Sequence, residues 1–181
     1  MPNVANSTLT DPNLPEPKGA SAASAGQVYV ANGAASGTWR YLPHSYCYYT
    51  NIGTGTTYTA PTSMTLLNPV TTGDSNPRDF THNSAGRLTY TGATTLDVTV
   101  TVTITLKHSG AATDVQFQVF KNGVAVTGTK HVATANSSTY ENVTMVSHAS
   151  MATNDYVEIY TLTASGNVIV HAFSLTVQGN I

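Results

Sequence analysis

Six histidines, nine carboxylates and one thiol are the groups in this 181-residue chain that could carry proton-transfer, nucleophilic or metal chemistry. The histidines are His44, His82, His108, His131, His148 and His171. No two of them share the i,i+2 or i,i+4 spacing that puts two imidazoles on one metal ion. His171 stands between Ile169 and Phe173 on an apolar stretch. Three copies of it could converge on an ion or titrate together; a hydrogen-bonded core or interface histidine is the favoured reading. A glycosidase needs two carboxylates roughly 5–9 Å apart in a groove. Asp155 and Glu158 are close in sequence, but three residues along a strand set them on opposite faces and about 10 Å apart. Asp74 and Asp79 lie in TGDSNPRD, where aspartates cap turns. The nucleophile-elbow, zincin, EF-hand and P-loop patterns are all absent. GTGTTY at 53–58 starts like a dinucleotide fingerprint but lacks its third glycine and reads as a loop. Cys47, the single cysteine, excludes an intrachain disulfide and a zinc ribbon, and reads as a buried free thiol. The expectation is no catalytic residue, no metal, no cofactor and no enzyme activity.

What remains is a surface to bind with. Trp39, Tyr41, Tyr46, Tyr48 and Tyr49 form an aromatic cluster in sequence. Such rings suit a carbohydrate or protein patch, since they supply contact area at low entropy cost. Local or inter-subunit packing is the favoured reading of this cluster. Only 9% of the chain is charged, against roughly 25% in an average soluble domain. Thr (31) and Ser (15) take the place of charge. A net charge of −2 with no basic cluster argues against nucleic acid as a partner. No apolar run approaches 18 residues, so no membrane span is expected. The first residues carry no basic and apolar leader pattern, so no signal peptide is expected.

The elements that must position these groups are strands. β-branched residues abound and helix formers are few. Residues 1–26 contain no aromatic residue and four of the eight prolines, Pro2, Pro12, Pro15 and Pro17. They read as an extended tail that something else must hold, with Pro12, Leu14, Pro15 and Pro17 as its anchoring residues. Residues 27–75 read as a short β connecting or stalk region, opening with a strand, a glycine-rich turn and a second strand in QVYVANGAASGTWRYLP. Residues 76–181 are the regular part. TLDVTVTVTITLK at 95–107 alternates without error between Leu, Val and Ile on one face and Thr on the other. VQFQVF, the Asn122-Gly123 turn, VAVTGTKHV, STYENVTMVS, YVEIYTLTA and VIVHAFSLTVQ follow at short intervals. That spacing, without intervening helices, predicts an antiparallel sandwich or barrel.

The last strand carries one more signal. Under strict alternation VIVHAFSLTV is apolar on both faces: Ile169, Phe173, Leu175 and Val177 on one, Val168, Val170 and Ala172 on the other. A half-solvated sheet should show a polar face there. A second subunit is then the expected cover, with Val168, Val170, His171, Ala172 and Phe173 at the interface; the tail or an intrachain loop is the alternative cover.

The order of these motifs resembles a known family. GRLTYTG, a long alternating strand, a strand ending in Lys121-Asn122-Gly123, a Ser/Thr-rich strand, the Asn154-Asp155 turn and a final apolar strand are similar to the C1q/TNF-like jelly roll of phage and bacterial trimeric fibre heads. The resemblance covers about residues 78–180. Upstream, GASAASAGQVYVANGAASGTW resembles a linker common in phage structural proteins. Together they imply an all-β, antiparallel jelly-roll head at 76–181, preceded by an extended tail and a short hairpin region. The function they imply is that of a bacteriophage virion protein on the outer particle surface, a homotrimeric capsid decoration protein or head fibre. Its residues 1–26 would bind the major capsid protein or another virion protein. The alternative is a tail-fibre tip that recognises host-surface glycan.

Overall fold

The structure, a computed structural model, describes residues 23–31, 37–59 and 61–180. The anchoring residues Pro12, Leu14, Pro15 and Pro17 and the Asn32-Gly33 turn lie outside them. The chain divides into two compact units, one ending at Leu42 and one running from Pro43 to Asn180.

In the first unit β1 (Gln27–Ala31) and β2 (Gly37–Tyr41) pair antiparallel as a hairpin, in register from Gln27 with Tyr41 to Ala31 with Gly37. Tyr29 meets Trp39 edge-on, with ring centroids 5.4 Å apart.

The second unit is built from β3 (His44–Thr50), β4 (Thr56–Tyr58), β5 (Thr65–Leu66), β6 (Thr72–Gly73), β7 (Phe80–His82), β8 (Leu88–Tyr90), β9 (Leu96–His108), β10 (Thr113–Lys121), β11 (Val124–Ala125), β12 (His131–Ala135), β13 (Glu141–Met151), β14 (Tyr156–Thr163) and β15 (Val168–Gly179). One sheet has the order β13-β9-β15-β3-β6, with β4 added on β15. The other has the order β11-β10-β14-β8-β7, with β12 on β10 and β5 on β14. All pairings are antiparallel. The pairs are nested. β3 joins β15, β8 joins β14, β9 joins β13, and β10 joins β12 at the centre. A chain folded back on itself as a double ribbon and rolled into two facing sheets is a jelly roll, as the family resemblance implies.

Alternation fills the space between the sheets. Val98, Val100, Val102, Ile104 and Leu106 of β9 point inward beside Val115, Phe117 and Val119 of β10, and Val157 and Ile159 of β14. Each such side chain contributes about 1.5–3 kcal/mol by leaving water. Thr99, Thr101, Thr103 and Thr105 point the other way, as strict alternation predicts.

Two expectations need correction. The sandwich starts at Pro43, so β3 to β6 belong to its sheets, where the sequence reading puts residues 27–75 in a connecting region. These strands are short and gain stability only by pairing with β14, β15 and each other across the chain, a long-range term that local pattern does not carry.

The second correction concerns β15. Its register against β9 shifts between Val170 and Ala172: Val170 faces Leu106 and Ala172 faces Thr105, leaving His171 as the extra residue of a β-bulge. The bulge reverses the parity of the strand. Val168 and Val170 before it, and Phe173, Leu175 and Val177 after it, all point into the one core. The strand has a single apolar face. Val168, Val170 and Phe173 are consumed by the chain's own interior and are not available to a partner. Of the five residues expected at an interface, Ala172 alone remains on the outer face; His171 is 5% exposed.

Candidate interaction face

The registers of four adjacent strands generate a regular outward lattice. Thr50, Ala172, Thr105 and Asn142 lie in one row across β3, β15, β9 and β13. Tyr48, Ser174, Thr103 and Thr144 form the next, then Tyr46, Thr176, Thr101 and Val146, then His44, Gln178, Thr99 and His148. None of these positions is Asp, Glu, Lys or Arg. Along β9 the lattice is bounded by Asp97 at one end and Lys107 at the other.

The lattice is largely hydroxyl, with its larger side chains at two edges. Tyr46 and Tyr48 lie stacked, centroids 6.3 Å apart, and are 39% and 45% exposed. Val146, on the far edge, is 63% exposed. The polar groups partly satisfy one another. Thr105 Oγ1 donates to Asn142 Oδ1 at 2.8 Å, and Thr99 Oγ1 donates to Asn180 Oδ1 at 3.0 Å. A water-facing sheet normally carries charge. A face of hydroxyls and tyrosines without Asp, Glu, Lys or Arg shares with interface centres the depletion of charge and the presence of exposed Tyr.

The bulge shapes one end of this face. His171 is held by the loop from Asn51 to Gly55: Asn51 N–H donates to the His171 carbonyl at 2.7 Å, and His171 Nδ1 lies 3.3 Å from the Asn51 carbonyl. Tyr140 packs edge-on against the imidazole at 4.9 Å and donates its hydroxyl to the Ile52 carbonyl at 3.0 Å. Lys107 Nζ sits 4.2 Å above the Tyr140 ring. His171 is therefore a buried histidine tied to the Asn51–Gly55 loop within its own chain.

The other chemistry-bearing residues are dispersed. His44 Nε2 is 3.8 Å from Asp74 Oδ2. His82 packs its ring over Gly73, and His108 lies with Nε2 2.6 Å from the Ser165 carbonyl. His148 Nδ1 meets Thr99 Oγ1 at 3.3 Å, and His131 is exposed. Among the described residues no group of three His, Cys, Asp or Glu could hold a metal ion. Asp74 caps a turn by accepting the Asn76 N–H, and Asp79 occupies a turn at φ 55°. Cys47 is fully buried, and that burial pushes its thiol up to about 12, so no thiolate is available near neutral pH.

The aromatic cluster is divided. Trp39 and Tyr41 belong to the hairpin unit, Tyr46 and Tyr48 to the outer face, and Tyr49 packs against the core with its hydroxyl accepting from Thr56 at 3.0 Å.

The motif turns come together. Lys121, Asn122 and Asp155 form one hydrogen-bonded cluster, in which Asp155 accepts from Asn122 Nδ2 at 2.6 Å, Lys121 Nζ at 3.0 Å and the Ala152 N–H at 2.8 Å. Asn122 and Gly123 take φ values of 52° and 75°, as a two-residue type I′ hairpin requires.

A charged pair that sequence spacing did not bring together is Arg87 with Glu158. Arg87 Nε donates to Glu158 Oε1 at 2.8 Å and a terminal guanidinium nitrogen lies 2.6 Å from the same oxygen.

No protein-family model matches the sequence, and no curated protein matches it. Among solved structures, the chain is similar to Eiger TNF from S. frugiperda, with a TM-score of 0.49 and 12% identity over 77% of this chain and 94% of that one. It is similar to murine APRIL at pH 8.5, with a TM-score of 0.48 and 10% identity over 75% and 98%. It is also similar to the PRD1 vertex protein P5, with a TM-score of 0.46 and 11% identity over 77% and 96%.

Proposed function

We propose that this chain is a non-enzymatic structural protein of a bacteriophage particle, a homotrimeric capsid decoration protein or head fibre whose sandwich faces outward. The observation that carries the assembly reading is the uncharged outer face of β13-β9-β15-β3. None of its sixteen positions is Asp, Glu, Lys or Arg, so the desolvation penalty for covering it between copies is smaller than for a charged sheet surface. Its tyrosines and Val146 gain by leaving water, and its hydroxyls can pair across a contact. Closed symmetry gives a chain with one such face a finite assembly.

The phage setting, the three-fold closure and the placement on the virion surface are supported by the resemblance of residues 19–39 and 78–180. Residues 1–26 are the anchor in this reading, binding the major capsid protein or another virion protein, with part of the binding free energy spent on ordering them.

Sedimentation of the purified chain tests assembly, and a stable monomer overturns it. A chain starting at residue 27 should remain trimeric yet fail to decorate particles in a pull-down. Continued decoration would move the anchor elsewhere. Gold-labelled chain viewed on virions by electron microscopy separates a head position from a tail position.

A further inference from the structure

The outer face of the other sheet has a different character. On β14 the outward residues are Tyr156, Glu158, Tyr160 and Leu162, and on β10 they are Asp114, Gln116, Gln118 and Phe120. Glu158 points away from the core and is nonetheless 2% exposed. Arg87 roofs it, bonded to Oε1 and lying 3.8 Å from the Tyr156 ring centroid. The two charges cancel within the pair, and Asp114, which accepts from the Thr134 hydroxyl, adds a carboxylate at the β10 start of this face. Beside the pair the rings of Phe120 and Tyr160 stack almost parallel, 3.9 Å apart at 20°. Both are half-buried, and the stack with Phe120 fixes the orientation of Tyr160, which is flanked on the other side by Leu66 of β5.

The polar groups around these rings are unspent. Among the described residues, the Tyr160 hydroxyl and the Gln116 side-chain amide have no hydrogen-bond partner. Gln118 Nε2 donates to the Val126 carbonyl at 3.2 Å, which pins its side chain and leaves its oxygen to accept. Burial and the neighbouring Glu158 carboxylate raise the Tyr160 phenol above its ordinary value, so it stays a neutral O–H donor.

A stacked aromatic pair, a donor–acceptor hydroxyl and two amides, with a carboxylate at the edge and no unpaired cation on β10 or β14, suit a neutral molecule with apolar C–H faces and many hydroxyls. We propose that the outer face of β10 and β14 binds a neutral pyranose sugar. Its C–H face would lie on Tyr160, and its hydroxyls would meet Gln116, Gln118 and the Tyr160 phenol. The site lies on the sheet opposite the assembly face and does not depend on that reading.

The test uses the full chain. Saturation-transfer NMR with glucose, galactose and N-acetylglucosamine, beside a printed panel of neutral and sialylated glycans, should show binding to at least one neutral sugar and weaker binding to its sialylated form. Tyr160→Ala and Gln116→Ala should each weaken it by about fivefold to tenfold, the equivalent of one lost aromatic or hydrogen-bonded contact. Gln116→Ala removes a half-exposed side chain without a protein partner, so it keeps the test valid if Tyr160→Ala fails to fold. No binding to any neutral sugar overturns the proposal, as does binding indifferent to both substitutions. So does a change of oligomeric state in Gln116→Ala without loss of sugar, which would make this face a contact between copies. Failure to trimerise with sugar binding intact would count against the assembly reading alone.

Discussion

Asn122 Nδ2 donates to Asp155 Oδ1 at 2.6 Å, which ties the β10–β11 turn to the turn that starts β14, 33 residues later. Asn122 returns the constraint by accepting the Tyr156 N–H on its Oδ1 at 2.9 Å. Residues that read as two separate turns are one lock.

Asp155→Asn keeps the shape and removes the charge that three donors face, and should cost about 1–3 kcal/mol of stability. The donors hold the Asp155 carboxyl below its ordinary range, with Asn122 the largest cause. Folding therefore favours the ionised form. The contribution is full above the unfolded value, about 3.9, and is lost as pH falls through the lower folded value. The gap in midpoint temperature between wild type and variant should hold from pH 7 to about 5 and close below about pH 4, read by thermal unfolding across buffers.

Thr103→Lys places a charge at the middle of the uncharged face, on a position that is exposed in the isolated chain. The fold should be unchanged by circular dichroism, while sedimentation shifts from trimer to monomer, because like charges brought together at a contact oppose it. An equal shift of the circular dichroism spectrum would point to misfolding instead.

Gly55→Ala probes the bulge. Gly55 has φ +69°, and a Cβ there would stand 2.8 Å from Ile169 Cγ2 and 2.9 Å from the Val170 carbonyl. The loop that holds His171 must then shift, at a cost of about 1–3 kcal/mol in urea denaturation. Asn51→Ala leaves the backbone donor to His171 in place and should cost less.

Arg87→Ala removes the side chain that covers Glu158 and opens the carboxylate to water. About 1 kcal/mol should be lost, because solvent takes over part of what the guanidinium supplied, whereas the paired change Arg87→Met with Glu158→Leu should recover most of it. Urea midpoints of the two variants separate a removed partner from a removed pair.

Cys47 should resist a thiol reagent at pH 8 in the native chain and react fully in guanidinium, since its thiol is both buried and raised to about 12.

β9 was readable because thirteen residues obey one period, so parity alone assigns Thr99 to Thr105 outward. β15 was not, because a bulge adds one residue with no glycine or proline to mark it, and every assignment after His171 inverts. The false second apolar face came from that inversion. The uncharged lattice was half legible. Its threonines follow from alternation, while Tyr46, Tyr48 and Val146 join them only through the registers of β3 and β13. Phe120 and Tyr160 sit at outward parity in strands 40 residues apart, and only their diagonal placement across β10 and β14 makes a stack of them. The signal available in sequence was their parity, opposite to the buried Phe117 and Ile159.

The nested pairing also sets a clock. β10 and β12 are near neighbours in sequence, whereas β3 and β15 are separated by nearly the whole sandwich, and the entropy of closing a loop rises with its length. Contacts of such long range slow folding, and the seam between β3 and β15 is the dearest to close. That seam joins the tyrosine-bearing strand β3 to the rest of the uncharged face. In the proposed assembly, a chain only partly rolled up has no complete surface to offer its neighbours, so the order in which the ribbon closes would guard against copies meeting too early.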